Sequence, residues 1–261
     1  EIKKYFFSSF YLKLKLLGFT QSLSFKLSEG VIFLHKYSKK FILKKIGGLS
    51  GLTRIINHGL DTKTKKAKFN NKKYRLIYVS NIDFYKNQIF LLKSIDDFLE
   101  RYPYFKNKII VEFFGSYYEP ALKEFNTYLK NKIKNKKNFI YHGLKKSKFI
   151  YKDYKQRDTI CLFSSSCENF SVSLIEGMSR GYPILCVNLQ PMKSVLGNTA
   201  LFYKNGSINS FQQKLLKILS EKKFQKKLSN KVYKRSKAFN NNSIAKKTYS
   251  FLIQISKKHA K

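Results

Sequence analysis

Two carboxylates, Glu168 and Glu176, stand with seven residues between them in "SSSCENFSVSLIEGMSRGYPILC" (164–186), in a chain with 15 acidic against 53 basic residues. Glu168 falls on a polar loop, and Glu176 falls within the first two turns of the helix that the pattern predicts next. Unpaired backbone N–H groups and the dipole at such a helix start attract a phosphate. A carboxylate one or two turns in can accept hydrogen bonds from a vicinal diol such as ribose, and one on the loop can grip sugar hydroxyls. Other readings stand beside these: Ser173-x-x-Glu176 is a capping-box pattern, and Glu168 suits a solvated loop. Lys86, in "VSNIDFYKNQ" (79–88), follows an apolar run by a few residues and could reach a diphosphate.

These side chains need a frame. From residue 75 the chain alternates apolar runs with amphipathic stretches: strands at 75–80, 108–115, 138–143, 159–165, 183–187 and 200–204, and helices at 88–101, 119–134, 171–180, 208–220 and 222–238. Such alternation predicts a doubly wound, Rossmann-like α/β fold with a parallel sheet. Ligands bind at the carboxyl ends of the strands in such sheets, which places the loops after Ser80, Gly115, Gly143 and Ser165 on one rim. Upstream, residues 1–46 read mainly as helix, with Tyr5, Phe6, Phe10, Leu14 and Leu17 near helical spacing, and "GVIFLHKYSKKFI" (30–42) reads as a strand and then a helix. A brief strand over 53–61 ends at Gly59, and the polar 61–73 stretch reads as a linker. The chain closes with a helix near 243–257.

With 24 Phe, 18 Tyr and 43% apolar residues, the 261-residue chain has ample material for a core. No apolar run reaches the length of roughly 18 to 20 residues that a membrane span needs. Cys161, Cys167 and Cys186 lack zinc-type pairing and suit a reducing compartment, and the four histidines are too scattered to suggest a metal site. The net charge of +38 would pull on any polyanion. Lys, Asn, Ile, Phe and Tyr are enriched together, however, as an AT-rich coding sequence would give. Only the end is polarised, since residues 222–261 contain no acid.

The quoted motifs together resemble the GT-B retaining glycosyltransferases of family 4, the glycosyl transferases group 1. Glu168 to Glu176 is similar to the family's E-x7-E signature, followed by "GMSRGYPILC". "IINHGLD" (55–61) resembles its interdomain V-I-P-N-G-V-D, and "YVSNIDFYKNQ" its strand and Lys-Gly segment. "FFGS" (113–116) and "IYHGLKKSK" (140–148) fall at its glycine turns. The resemblance implies a GT-B architecture with a remnant of an N-terminal, acceptor-side domain at 1–60, whose earlier part is missing, and a linker at 61–73. A nucleotide-sugar-binding domain would follow at 74–240, then a C-terminal helix and basic tail at 241–261 that crosses back. It implies transfer of a sugar from a nucleotide-diphosphate sugar to a glycan or lipid-linked acceptor with retention, in cell-envelope polysaccharide or lipopolysaccharide synthesis.

By the same resemblance Glu168 and Lys86 would be catalytic, with Lys86 stabilising the departing diphosphate. Glu176 would bind the ribose, and Ser80, Asn81, Gly115, His142, Gly143, Asn169, Phe170 and Ser171 would border the donor. No metal and no cofactor would be required. Asn81 stands where many members carry arginine, Ser171 where many carry glycine, and Ser194 where glutamate is frequent. The expected location is cytoplasmic, peripheral at the inner membrane face.

Two other classes compete. A basic nucleic-acid binder follows from the charge and aromatics, but no RNP, zinc-finger or helix-turn-helix pattern supports it. Binding to an anionic membrane would use "YFFSSFYLKLKLLGF" (5–19) or the acid-free tail, and is compatible with a lipid-linked acceptor.

Overall fold

The computed structural model describes residues 9–61, 64–69, 72–151 and 157–259. Residues 5–8 of the amphipathic N-terminal segment, and residues 62–63 and 70–71 of the polar stretch, lie outside the described residues. The chain divides into two compact units, residues 1–59 with 242–261, and residues 60–241.

The first unit contains α1 (Ser9–Leu27), β1 (Gly30–Phe33), α2 (Lys36–Ile46), β2 (Leu52–Ile55) and most of the last helix. β1 and β2 pair in parallel, with Gly30 opposite Leu52 and Phe33 opposite Ile55. The strand expected to run to Gly59 therefore stops at Ile55. Leu12, Leu16, Phe19, Leu23 and Leu27 fall on one stripe of α1 at spacings of three and four, and all are exposed. Neither α1 nor α2 contains an acid.

The second unit holds β3 (Tyr74–Val79), α3 (Gln88–Arg101), β4 (Ile109–Phe114), α4 (Glu119–Lys132), β5 (Phe139–Tyr141), α5 (Ser147–Ile150) and β6 (Asp158–Phe163). Then come α6 (Val172–Ser179), β7 (Ile184–Val187), α7 (Met192–Leu196), β8 (Leu201–Tyr203), α8 (Ile208–Ser220) and α9 (Lys222–Ser236). The last helix, α10 (Asn241–His259), begins where this unit ends. The short helices α5 and α7 escape periodicity because neither completes two turns.

All six strands of the second unit run parallel, in the order β5-β4-β3-β6-β7-β8. This is the Rossmann order, in which the chain first winds one way from β3 and then the other way from β6. β6 is buried along its whole length and β3 along all but its last residue, as a sheet covered on both faces requires. Helix α8 shows how the cover forms: the Ser207 side chain caps its start, and Phe211, Leu215, Ile218 and Leu219 bury one face. The described part of the 61–73 stretch runs along this unit. Thr64 Oγ1 donates to Ser179 O at 2.5 Å, Ala67 N donates to Arg180 O, and Phe69 is buried in the core.

Candidate functional site

β3 and β6 are neighbours in the sheet, yet their following helices diverge, so the loops after them open a crevice between them. Lys86 lies on the first loop and Glu168 on the second. Their side chains form an ion pair across 82 positions of sequence, with only 10% and 12% of each exposed. The turn carrying Lys86 is fastened to the other loop. The Tyr78 hydroxyl donates to Lys86 O at 3.0 Å and the Ser164 hydroxyl to the same oxygen at 2.7 Å. Ser166 donates both its amide (2.8 Å) and its hydroxyl (3.0 Å) to Tyr85 O. Burial pushes the Tyr78 phenol well above its ordinary pKa, so it remains a donor. Asn87, which follows the lysine, adopts the left-handed conformation at φ 56° and ties its side-chain amide to Ser164 O at 2.9 Å. Asparagine tolerates that region better than other non-glycine residues.

Glu176 sits on α6. The helix is capped by Ser171, whose hydroxyl accepts from Leu174 N at 3.4 Å. The capping-box reading of Ser173-x-x-Glu176 is therefore corrected: Ser173 lies inside the helix and donates its hydroxyl to Val79 O at 2.8 Å. Glu176 instead points to a cleft and accepts from the Ser147 hydroxyl at 3.0 Å. That cleft, of about 410 Å³, is also lined by Ser80, Asn81, Gly115, Leu144 and Lys145. Gln88 holds its floor by donating to Asn81 O at 2.8 Å and Ser80 Oγ at 3.1 Å. Gly115, at φ 142°, lies so close to the neighbouring turn that a Cβ there would come within 2.2 Å of Ser80 O.

The sequence-predicted residues thus fall into three groups. Ser80, Asn81, Gly115 and Glu176 share the cleft, and Lys86 and Glu168 pair at the crevice between the β3 and β6 loops. The others do not line the cleft. His142 commits its Nε2 to Glu112 Oε1 at 2.7 Å and stacks on Phe114, while Gly143 precedes the lining residue Leu144. Phe170 packs its ring edge-on to Phe239, Ser171 is the helix cap, and Asn169 is exposed beside them. Ser194 bonds to Gln190 at 2.6 Å. Lys145 and Ser147 lie inside the quoted 140–148 stretch, yet only His142 and Gly143 of it were singled out, because a lysine-rich run gives no sign of which side chains turn inward. Among the described residues no group of three or more His, Cys, Asp or Glu could hold a metal. No helix among them is long and apolar enough to cross a membrane.

Residues 61–235 match the family model described as glycosyl transferases group 1. No curated protein sequence matches the chain. Solved structures share its fold. Sucrose-phosphate synthase (tll1590) from Thermosynechococcus elongatus superposes with a TM-score of 0.77 at 15% identity, covering 94% of this chain and 62% of that one. The Anabaena protein Alr3699/HepE in complex with UDP gives 0.73 at 12% identity, covering 89% and 65%. The pneumococcal O-GlcNAc transferase GtfA in complex with UDP and GlcNAc gives 0.70 at 14%, covering 87% and 45%. The chain thus spans less than two thirds of the length of these neighbours, and it shares with them the α/β architecture of GT-B glycosyltransferases.

Proposed function

The chain belongs to the glycosyl transferases group 1 family, and from that premise we propose that it binds a nucleotide-diphosphate sugar in the β3–β6 crevice and the adjoining cleft. The activity would be transfer of that sugar to a glycan or lipid-linked acceptor with retention at the anomeric carbon. The observation that carries this reading is the meeting of Lys86 and Glu168 at the topological switch point, beside a cleft that holds Glu176.

The ribose diol replaces Ser147 as the donor to the Glu176 carboxylate. The diphosphate lies toward the start of α6, where backbone N–H groups around Asn169, Phe170 and Ser171 meet it. Lys86 then exchanges its carboxylate partner for the phosphate, and Glu168 is released to accept hydrogen bonds from the sugar hydroxyls. As the glycosidic bond to phosphate breaks, negative charge grows on the leaving oxygen, and a preorganised ammonium stabilises it there. The loss of the frequent arginine at Asn81 places this duty more heavily on Lys86. Neither a metal nor a cofactor takes part. Titration of the protein with UDP and GDP, with and without EDTA, tests the proposal. Wild type should bind one of them, Glu176→Ala and Lys86→Ala should bind it more weakly, and equal affinity in all three rejects the assignment.

A second reading concerns where the acceptor is met. The exposed apolar stripe of α1, with eight lysines in α1 and α2 and Glu29 between these helices as the one acid, suits the face of an anionic bilayer. Flotation should carry the protein with anionic vesicles and not with neutral ones; no binding to either removes the reading.

A further inference from the structure

Arg75 and Glu112 form an ion pair inside the sheet, with side chains 0% and 6% exposed, and neither belongs to the proposed donor machinery. Burying two charges costs several kcal/mol each unless their remaining bonding capacity is filled, so where those other bonds go is informative. Arg75 Nη1 donates to Ile150 O at 2.8 Å. Glu112 Oε1 bonds His142 Nε2 at 2.7 Å. The acceptor Ile150 O and the His142 ring nitrogen are the two ends of one segment, the turn after β5 together with α5. Phe114 fills the space between, stacked on the His142 ring at 4.6 Å and lying 5.5 Å beneath the Arg75 guanidinium.

The segment so held, residues 142–150 with α5 at its end, supplies Leu144, Lys145, Ser147 and Ile150 to the wall of the cleft, and Ser147 is the residue bonded to Glu176. Its middle has little packing of its own: Leu144 is 77% exposed and Phe149 56%. Its position therefore comes from its ends, where His142 N donates to Phe113 O and Gly115 N to Gly143 O, each at 3.0 Å, and Ile150 is buried, so the side-chain network adds to main-chain anchors. We propose that Arg75, Glu112 and His142 act as a clasp, a set of positioning residues that fix this loop as the wall for the nucleoside part of the donor. The clasp sets nucleoside affinity without touching the ligand. This rests on the donor-binding reading above. Leu144, apolar and exposed at the cleft, is then the side chain presented to a base plane.

The test compares wild type, His142→Ala and His142→Gln, since the glutamine amide can still donate to Glu112 from near the Nε2 position. Calorimetric titration uses UDP and GDP, with inorganic pyrophosphate as the probe that lacks a nucleoside. Hydrogen exchange of the 143–149 amides is followed in parallel. The expected result is about a tenfold loss of nucleoside-diphosphate affinity in His142→Ala, as loss of a buried bond to a charged group implies. Pyrophosphate affinity stays within about twofold, loop exchange quickens, and His142→Gln restores both readouts. Unchanged exchange in His142→Ala overturns the clasp, and so does equal weakening of nucleotide and pyrophosphate. Should wild type bind neither nucleotide, the donor reading fails instead, and the exchange comparison alone decides the clasp.

Discussion

The Ser147 hydroxyl donates to the Glu176 carboxylate at 3.0 Å, joining the start of α5 to α6 across the open cleft. The carboxylate is therefore kept solvent-facing but oriented, with a neutral partner that a diol can replace at little cost. Replacing Glu176 by Gln should weaken nucleoside diphosphate binding about tenfold, because an ionised acceptor bonds roughly twice as strongly as a neutral one. Ser147→Ala should change it by less than about threefold. Calorimetric titration of both variants checks the contrast.

The Lys86–Glu168 pair predicts a strong energetic coupling. Removing either partner leaves a nearly buried charge without its counterion, whereas removing both leaves none. In a cycle of Lys86→Met, Glu168→Gln and the double variant, each single change should destabilise by about 2 kcal/mol or more. The double should cost less than their sum by about 1–3 kcal/mol. Denaturant unfolding measures this, and additive single effects would mean that the pair is a loose surface contact.

Gly115 should tolerate no side chain. With φ at 142° and Ser80 O and Asn81 N in the way of a Cβ, Gly115→Ala should cost about 2 kcal/mol or more and weaken nucleotide binding by displacing the Ser80–Asn81 turn. Asn87→Gly keeps the left-handed turn and should stay within about 1 kcal/mol of wild type, whereas Asn87→Val should lose more. Thermal unfolding of the three variants ranks them.

Cysteine reactivity should divide sharply. Burial pushes the Cys161 thiol from 9.0 up to about 12 and moves Cys186 higher still, while Cys167 is exposed. At pH 8 an aromatic disulfide reagent should titrate one thiol per native chain quickly and the other two only after denaturation.

The same shifts fix a sign for alkaline stability. Cys161, Cys186, Tyr78, Tyr151 and Tyr203 are all raised by burial, so above about pH 9 the unfolded chain releases protons that the native chain keeps. Unfolding free energy should be flat in these groups below pH 8 and fall between about pH 9 and 12. Melting temperatures taken at pH 8, 9.5 and 11 check the slope.

Much of the frame was legible because the second unit obeys local rules. Continuous apolar runs such as "TICLF" (159–163) signal strands covered on both faces, and the helices between them carry period-3.6 stripes. The Glu168 and Glu176 positions were legible from spacing, and Lys86 from its place after the first strand. What the sequence hid is long-range. Arg75 and Glu112 each stand alone within an apolar strand, and no spacing rule pairs them or connects them to the two ends of a segment at 142 and 150. The partner of Glu176 was hidden for the same reason: Ser173 lies at local capping distance, whereas Ser147 arrives only through the fold. His142 belongs to this hidden class too, since a histidine beside a glycine turn gives no sign of which way its ring is held.

The chain enters the second unit at Leu60 and leaves it at Asn241, and these two points are stitched together: Leu60 N donates to Phe239 O at 2.7 Å, and Asn241 N to Leu60 O at 3.1 Å. Residues 60–241 are thus topologically an insertion whose two ends already touch. Such a module can be cut out at a single seam and circularised by a short tether, or traded between related backbones, without reworking its strand order.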